Sequence, residues 1–414
     1  MQGVAILSMH ASPLAQPGTG DGGGMSVYVR ELAAHLARRG VTVEVFTRAW
    51  DPRQPPVMGV EPNFRVHHVP AGPVAPVAKE LLEELTEPWA EAVGHRLDGL
   101  PEVDALHANY WLSGIAGHSL KHQRDLPLIS TFHTLDRVKA EASPEEQAAS
   151  EPQRRADAEA SVIACSDAVL ASCDAEADQL VELYGAQRDR IEIVAPGVLH
   201  AVFGPGNQDQ ARRAVGLPTG VPVVLFAGRI QPLKGLSVAV EALASLRSRP
   251  ALRDATLVVV GGPSGPHGAA EVATAEKIVA DRGLGDAVRF FDPQPHEILS
   301  TFYRTADVCV VPSMSESFGL VALEAAACGI PVVAADVGGL PSLVADGVNG
   351  YLVSGRDPED YADGLAAVLS DGEVQAQMGW AGRQRSEAYT WAAAAATFSD
   401  LGRRLTTREL VPCS

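Results

Sequence analysis

In FAGRIQPLKG, residues 226–235, Arg229 and Lys234 stand five apart between an apolar run and the helical pattern GLSVAVEALASL. A guanidinium and an ammonium in a strand-to-helix loop suit a diphosphate, because such loops line the ligand crevice of an open α/β sheet. A second constellation occupies residues 312–353, PSMSESFGLVALEAAACGIPVVAADVGGLPSLVADGVNGYLV, where Glu316 and Glu324 are eight apart. The first falls in a loop and the second inside the helix that SFGLVALEAAACG predicts. Backbone N–H groups of Ser317, Phe318, Gly319 and Leu320, at that helix start, favour a phosphate. The carboxylates beside them suit sugar hydroxyls, which need acceptors to the side of the phosphate. A third stretch, QPGTGDGGGMSVYV at 16–29, spaces Gly18, Gly20 and Gly23 as G-x-G-x-x-G, the fingerprint of a dinucleotide cradle. Yet Gly18 lies nine residues beyond Met9, and the next strand ends VFTRAW, with no acidic residue for a ribose and only Arg48 as a nominal partner for a 2′-phosphate. A long loop of Gly, Thr, Asp and Ser before a helix instead arches over an anion.

Strands and helices must hold these loops in place. Apolar runs at VAILSM (4–9), VTVEVFTR (41–48), FRVHHVP (64–70), DALHAN (104–109), PLISTFH (127–133), AVLASC (168–173) and IEIVAPG (191–197) alternate with helical patterns, the first of which ends at Gly40. After Gly197, AVFGPGNQDQARRAVGLPTGVP reads as a linker or surface excursion. A second series follows with VPVVLFAG (221–228), ATLVVVGG (255–262), VRFFDP (288–293), VCVVPS (308–313), PVVAAD (331–336) and GYLV (350–353). Such alternation predicts mostly parallel, doubly wound sheets in two α/β lobes with a cleft between them. Beyond Asp371 the pattern is all helical, and a terminal helix is expected to cross back to the first lobe. The domains are then 1–197 with a returning helix 392–414, and 198–391.

Composition narrows the partners. At 414 residues, with 46% apolar and 20% charged residues, the chain has material for two cores. A net charge of −18 disfavours nucleic acid and anionic membranes, so an anionic ligand must meet a local positive pocket. Only five residues are lysine: Lys79, Lys121, Lys139, Lys234 and Lys277. No window has the roughly 18 apolar residues of a membrane span, and MQGVAILSMHASP lacks a basic start, so a cytoplasmic protein is expected. The five cysteines, Cys165, Cys173, Cys309, Cys328 and Cys413, show no C-x-x-C spacing and indicate neither a disulfide framework nor a zinc site.

The order G-R-x-x-x-x-K-G, then E-x7-E, then G-G-x-P and V-x-D-G-x-x-G resembles the large retaining glycosyltransferase family that includes glycogen and sucrose-phosphate synthases. The resemblance spans essentially the whole chain. It implies the GT-B architecture: an α/β fold of two facing Rossmann-like, doubly wound domains with a C-terminal helix crossing back to the first. Within that family, SMHASPLAQPGTGDGGGM, HANYWLSG, TFHTL and IQPLKG are similar to a branch acting on inositol 3-phosphate, at the first step of mycothiol biosynthesis in actinobacteria. That branch moves N-acetylglucosamine from UDP-N-acetylglucosamine with retention at the anomeric carbon.

The resemblance also implies roles. Arg229 and Lys234 would hold the donor diphosphate, Glu316 the donor sugar and Glu324 the ribose, with Gln16, Pro17 and Gly24 approaching the donor. His10, Asp21 and Ser26 would face the acceptor, and Lys79, Tyr110, Thr134 and Arg154 would cage its phosphate with two cations and two hydroxyls. His133 would position reactants rather than act as general base. No cofactor is implied for catalysis, but Tyr303, Arg304 and Ala306 match a structural magnesium site made of backbone carbonyls. The relatives are homodimers. Ser26 stands where Asn is common, Leu199 and His200 follow PGV where Asp is frequent, and Met314 replaces an aromatic. These departures leave open a related enzyme of an actinobacterial natural-product pathway that glycosylates another small acceptor, a thiol or aminocyclitol. A two-lobed phospho-sugar-binding protein without chemistry and a nicotinamide oxidoreductase are the readings from other classes.

Overall fold

The structure is a computed structural model of residues 1–414 that describes all but 17, 19–22, 79–80, 144–151 and 414, with the backbone alone at 152–153. The described residues divide into two compact units. One comprises Met1–Ala15, Gly24–Gly197 and Trp391–Ser414, and the other Gln16–Gly23 and Val198–Thr390.

In the first unit, β1 (Gly3–Leu7), β2 (Thr42–Arg48), β3 (Val57–Glu61), β4 (Phe64–Val69), β5 (Ala105–Asn109), β6 (Leu128–Thr131), β7 (Ala168–Ala171) and β8 (Ile191–Ile193) form one sheet. Its order is β3-β4-β2-β1-β5-β6-β7-β8, and only the β3–β4 pair is antiparallel. Val4, Ala5, Ile6 and Leu7 are wholly buried, because helices cover both faces of a central parallel strand, and their sequence is accordingly a continuous apolar run. Strand order reverses between β1 and β5, so the chain leaving these two strands, at residues 8–10 and 109–110, lies at the switch point where such sheets take ligands. Edge strand β3 was not expected. Its VMGVE follows two prolines and is exposed or half-exposed, so no apolar alternation marks it; the turn at Asn63, with φ of 64°, folds it back on β4.

The second unit repeats the plan with β9 (Val223–Ala227), β10 (Thr256–Val260), β11 (Val288–Phe291), β12 (Val308–Val311), β13 (Val332–Ala335) and β14 (Gly350–Val353). All are parallel, in the order β11-β10-β9-β12-β13-β14. Here the reversal lies between β9 and β12. The loops carrying Arg229, Lys234 and Glu316 therefore leave from adjacent strand ends.

Three expectations need correction. The stretch after Gly197 holds a helix, Gln208–Ala214, capped by Asn207, whose side chain accepts from Gln210 N at 2.8 Å. Buried Arg212 ties that helix to Asp307 at 2.7 Å and to the Thr305 carbonyl at 2.9 Å. Surrounding Gly and Pro masked so short a segment. The returning helix is Trp391–Leu405 and does not continue to residue 414. It packs along the helix Gly24–Arg38, with the Trp391 ring 5.8 Å from that of Tyr28. Beyond it, the tail brings Cys413 to a disulfide with Cys165, Cα to Cα 4.9 Å. The two are 248 residues apart, so local spacing carries no trace of the pairing. Among the described residues no helix is long and apolar enough to cross a membrane.

Candidate active site

In the second unit, the loop after β9 ends in the turn Pro232–Lys234, and Gly235 opens the helix Leu236–Arg247. Gly235 has φ of 73°, and a Cβ there would run into the Pro312 carbonyl, so glycine lets this loop close against the end of β12. Closure seats Lys234, whose Nζ lies 2.5 Å from Glu316 Oε2. Both side chains stay partly exposed and reachable by a ligand. Ser313 Oγ reaches the same carboxylate at 3.4 Å. From the other side Gly339 N donates to the Glu316 carbonyl at 3.0 Å, and Gly338, at φ 53°, lies too close to that carbonyl for any Cβ. The G-G-x-P segment thus buttresses the loop that presents the carboxylate.

From Glu316 the backbone of Ser317 and Phe318 leads to Gly319, which caps the helix Leu320–Ala327, with Phe318 buried against Tyr389. Glu324 is buried within this helix. The Tyr303 hydroxyl donates to its Oε2 at 2.7 Å, and His296 Nε2 stands 3.6 Å from its Oε1. Burial raises the Glu324 pKa, and His296 and the Tyr303 hydrogen bond oppose that rise. Arg229 runs beside Gly23, where a Cβ would come within 2.9 Å of Nε, and Gln16 Nε2 donates to the Pro293 carbonyl at 3.3 Å. The described glycine-loop residues Gln16, Gly18 and Gly23 therefore belong with the second unit. β1 ends at Leu7 and the next helix starts at Gly24, a longer separation than the tight turn of a dinucleotide cradle. Arg48 is spent on the carbonyls of Pro73 and Ala75, at 2.8 and 2.7 Å, and holds no site for a 2′-phosphate.

In the first unit, Tyr110 follows β5 and His133 follows β6, and both adopt left-handed backbone, φ 75° and 62°. Neither is glycine, and neither sits in a hairpin turn, so packing must impose this strain, as it does at functional sites. His133 Nε2 donates to Asn109 Oδ1 at 2.8 Å, placing the ring proton on Nε2, and Tyr28 meets the ring edge-on at 4.9 Å. Burial lowers the His133 pKa to about 3, so the ring is neutral near pH 7. His107 is likewise lowered to about 3, by burial and then by His133; its Nε2 lies 2.9 Å from Thr131 Oγ1 and its ring 4.8 Å from Phe398. His10 packs at 4.5 Å on Tyr110. Ser26 is buried, and its hydroxyl has no hydrogen-bond partner among the described residues.

The two arginines of EPQRR separate. Arg154 is 58% exposed and pairs with Glu83 at 2.7 Å, whereas Arg155, 13% exposed, donates to the Thr134 carbonyl at 2.8 Å and to Thr134 Oγ1 at 3.2 Å. Its guanidinium lies 4.9 Å from the centre of the Tyr110 ring. Arg155 thus joins Tyr110 and Thr134, while Arg154 lies at the surface beside Glu83. Pro17, Asp21 and Lys79 lie outside the described residues.

Tyr303, Arg304 and Ala306 close the helix His296–Thr305. The Tyr303 carbonyl accepts from Ala306 N at 3.0 Å, the Ala306 carbonyl from Gln208 Nε2 at 2.9 Å, and Arg304 bridges the Val202 and Gly204 carbonyls. The adjacent carboxylate, Asp307, is committed to Arg212. With these carbonyls already accepting hydrogen bonds and Asp307 paired, the groups fit a divalent cation poorly. Sequence reasoning missed Arg155, Asn109 and His296. Arg155 was legible only as the neighbour of Arg154, since helix phase decides which of two adjacent arginines turns inward.

Residues 207–385 match the family described as Glycosyl transferases group 1, and residues 22–201 that described as Glycosyltransferase Family 4. The chain is 46% identical over 416 residues to a D-inositol 3-phosphate glycosyltransferase of Xylanimonas cellulosilytica, covering 98% of this chain and 97% of that one. A second such relative, from Corynebacterium efficiens, is 42% identical, covering 98% and 96%. Among solved structures, a sucrose-phosphate synthase from Thermosynechococcus elongatus superposes with a TM-score of 0.89 at 34% identity, covering 98% and 99%.

Proposed function

We propose, from the premise that the chain belongs to the group 1 glycosyltransferases of GT-B fold, that it transfers N-acetylglucosamine from UDP-N-acetylglucosamine to 1D-myo-inositol 3-phosphate with retention of configuration. The observation that carries this reading is the Lys234–Glu316 pair at the β9/β12 switch point, half-exposed and next to a helix start. Arg229 and Lys234 take the diphosphate, and the N–H groups from Ser317 to Leu320 add their partial positive charge. Once Lys234 turns to phosphate, Glu316 accepts from the sugar hydroxyls. Glu324 takes the ribose, with Tyr303 and His296 orienting its carboxyl. Gln16, Pro17 and Gly24 complete the donor side.

The acceptor oxygen bonds to the anomeric carbon as the bond to the β-phosphate oxygen breaks, and the acceptor's proton passes to that departing oxygen. Charge grows on the diphosphate during this step, so the two cations bind the transition state more strongly than the ground state. His133 is neutral and its Nε2 proton is committed to Asn109, which suits a positioning role. Lys79, Tyr110, Thr134 and Arg154 grip the acceptor phosphate, with His10, Asp21 and Ser26 beside its ring. Arg154 is held by an exposed ion pair worth about 1 kcal/mol or less, so it can exchange Glu83 for a phosphate. Arg155 sets the orientation of Tyr110 and Thr134. The short, buried Ser26 hydroxyl supports a second reading, in which the acceptor is a thiol or aminocyclitol.

Incubation with both substrates, read by product mass and by the anomeric proton coupling, tests the proposal. An α-linked product with one UDP released per transfer supports it. Donor turnover confined to water or to another acceptor overturns the acceptor assignment. Light scattering on the purified chain checks the expected homodimer.

A further inference from the structure

Away from the proposed reaction site, the first unit gathers four metal-ligating side chains that share no local motif. His118 and His122 lie one turn apart on the helix Trp111–Arg124, Cys165 ends the helix Pro152–Cys165, and Cys413 arrives from the C-terminal tail. Their ligand atoms all fall within 4.8 Å of one another. His122 Nε2 is 3.8 Å from Cys165 Sγ, and the two imidazoles are 5.0 Å apart. Among the described residues this is the one group of three or more His, Cys, Asp or Glu side chains so disposed.

We infer that, with its sulfurs reduced, this cluster is a Cys2His2 site for Zn²⁺ that fastens the C-terminal tail to the first unit. A tetrahedral zinc with Zn–S near 2.3 Å and Zn–N near 2.0–2.1 Å needs its ligand atoms about 3.3–3.8 Å apart, so the outermost pairs close by about 1 Å and the two sulfurs, once reduced, part by about 1.7 Å. Two thiolates and two neutral imidazoles around Zn²⁺ carry no net charge, which suits a site where Cys165 is buried and Cys413 half-buried. A disulfide alone makes no use of two imidazoles brought to the same point by the i, i+4 spacing of a helix.

The supporting contacts are in place. Asp167 accepts from Val411 N at 2.7 Å, from Leu128 N at 2.8 Å and from Lys121 Nζ at 2.8 Å, while Lys121 also donates to the Cys165 carbonyl at 2.7 Å. Tail, helix and strand are thus tied together independently of the sulfurs, so the ligands stay gathered when the Cys165–Cys413 bond opens. A thiol reductant breaks that bond with two electrons, giving two cysteine thiols and the reductant's own disulfide. Zinc then displaces two protons to solvent.

The test uses the full chain, reduced, dialysed against Zn²⁺, freed of excess metal and analysed for bound zinc. One equivalent per chain is expected. Cys413→Ser, His118→Ala and His122→Ala are each expected to retain less than roughly a tenth of an equivalent, with circular dichroism unchanged. Cobalt substitution is expected to give tetrahedral visible bands together with a thiolate-to-metal charge-transfer band. Should Cys413→Ser fail to fold, exposed His122 supplies the deciding variant. Zinc-free reduced chain, an equivalent that survives these substitutions, or a cobalt spectrum without the thiolate band overturns the inference and leaves a disulfide alone. None of these readouts involves glycosyl transfer.

Discussion

Lys234 and Glu316 form an ion pair at 2.5 Å, and in the proposed reaction its members part when a donor arrives, which would make their contributions interdependent. Lys234→Ala is expected to lower kcat by on the order of 10²- to 10³-fold, as for other preorganised transition-state contacts. Adding Glu316→Gln to that variant should cost far less than it does in the intact enzyme, because residues in contact are not additive. A double-mutant cycle on kcat/KM checks this, and additive losses would remove the pair from the mechanism. Arg155 offers the complementary case. Arg155→Lys keeps the charge but loses the planar guanidinium that holds Glu159 through Nε, donates twice to Thr134 through Nη2 and lies over Tyr110, so acceptor KM should rise about tenfold while donor hydrolysis is unchanged. Equal loss in both assays would make Arg155 a folding residue. The placement of Arg229 and Lys234 in the strand-to-helix loop, and of Glu316 and Glu324 in the loop and the helix that follows it, was legible because each pair sits within a single loop-and-helix segment. Arg155, Asn109 and His296 were not, since their roles depend on partners from other segments.

The helix Trp391–Leu405 covers a buried cluster in which Tyr28 packs against His107, His133 and Trp391, and His107 against Phe398. Both histidines fall from 6.5 to about 3 on folding. Between these values the unfolded chain binds more protons than the native one, so stability rises with pH through this window and is lost as pH falls below about 6.5. Each fully titrating histidine contributes a slope of about 1.4 kcal/mol per pH unit. Urea denaturation of His107→Gln at several pH values should show a slope smaller by about one proton; an unchanged slope would mean the imidazole is charged when buried. The strand series was readable as apolar runs because parallel strands are covered on both faces. β3 and Gln208–Ala214 escaped because one is a half-exposed edge and the other is seven residues long amid glycine and proline.

At the scale of the chain, two doubly wound sheets, the first parallel except at its β3–β4 edge, each with its own switch point, divide the proposed labour, with the nucleotide sugar on the second unit and the phosphorylated acceptor on the first. A ligand that binds only the native state stabilises it by about 2.7 kcal/mol at a hundred times its Kd. UDP should therefore raise Tm, Lys234→Ala should reduce that rise, and NAD should produce none. A rise with NAD that survives Lys234→Ala would revive the glycine-loop reading.

The linear order of residues dictated the alternation of strands and helices, the doubly wound sheets and the cation and carboxylate loops, since each depends on neighbours within a few turns of chain. Long-range contacts decided the rest. They chose Arg155 over Arg154 to meet Tyr110 and Thr134, forced Tyr110 and His133 into left-handed backbone, and carried Cys413 across 248 residues to Cys165, His118 and His122. Such outcomes hinge on which packed surfaces meet, and burial rather than local spacing settles that.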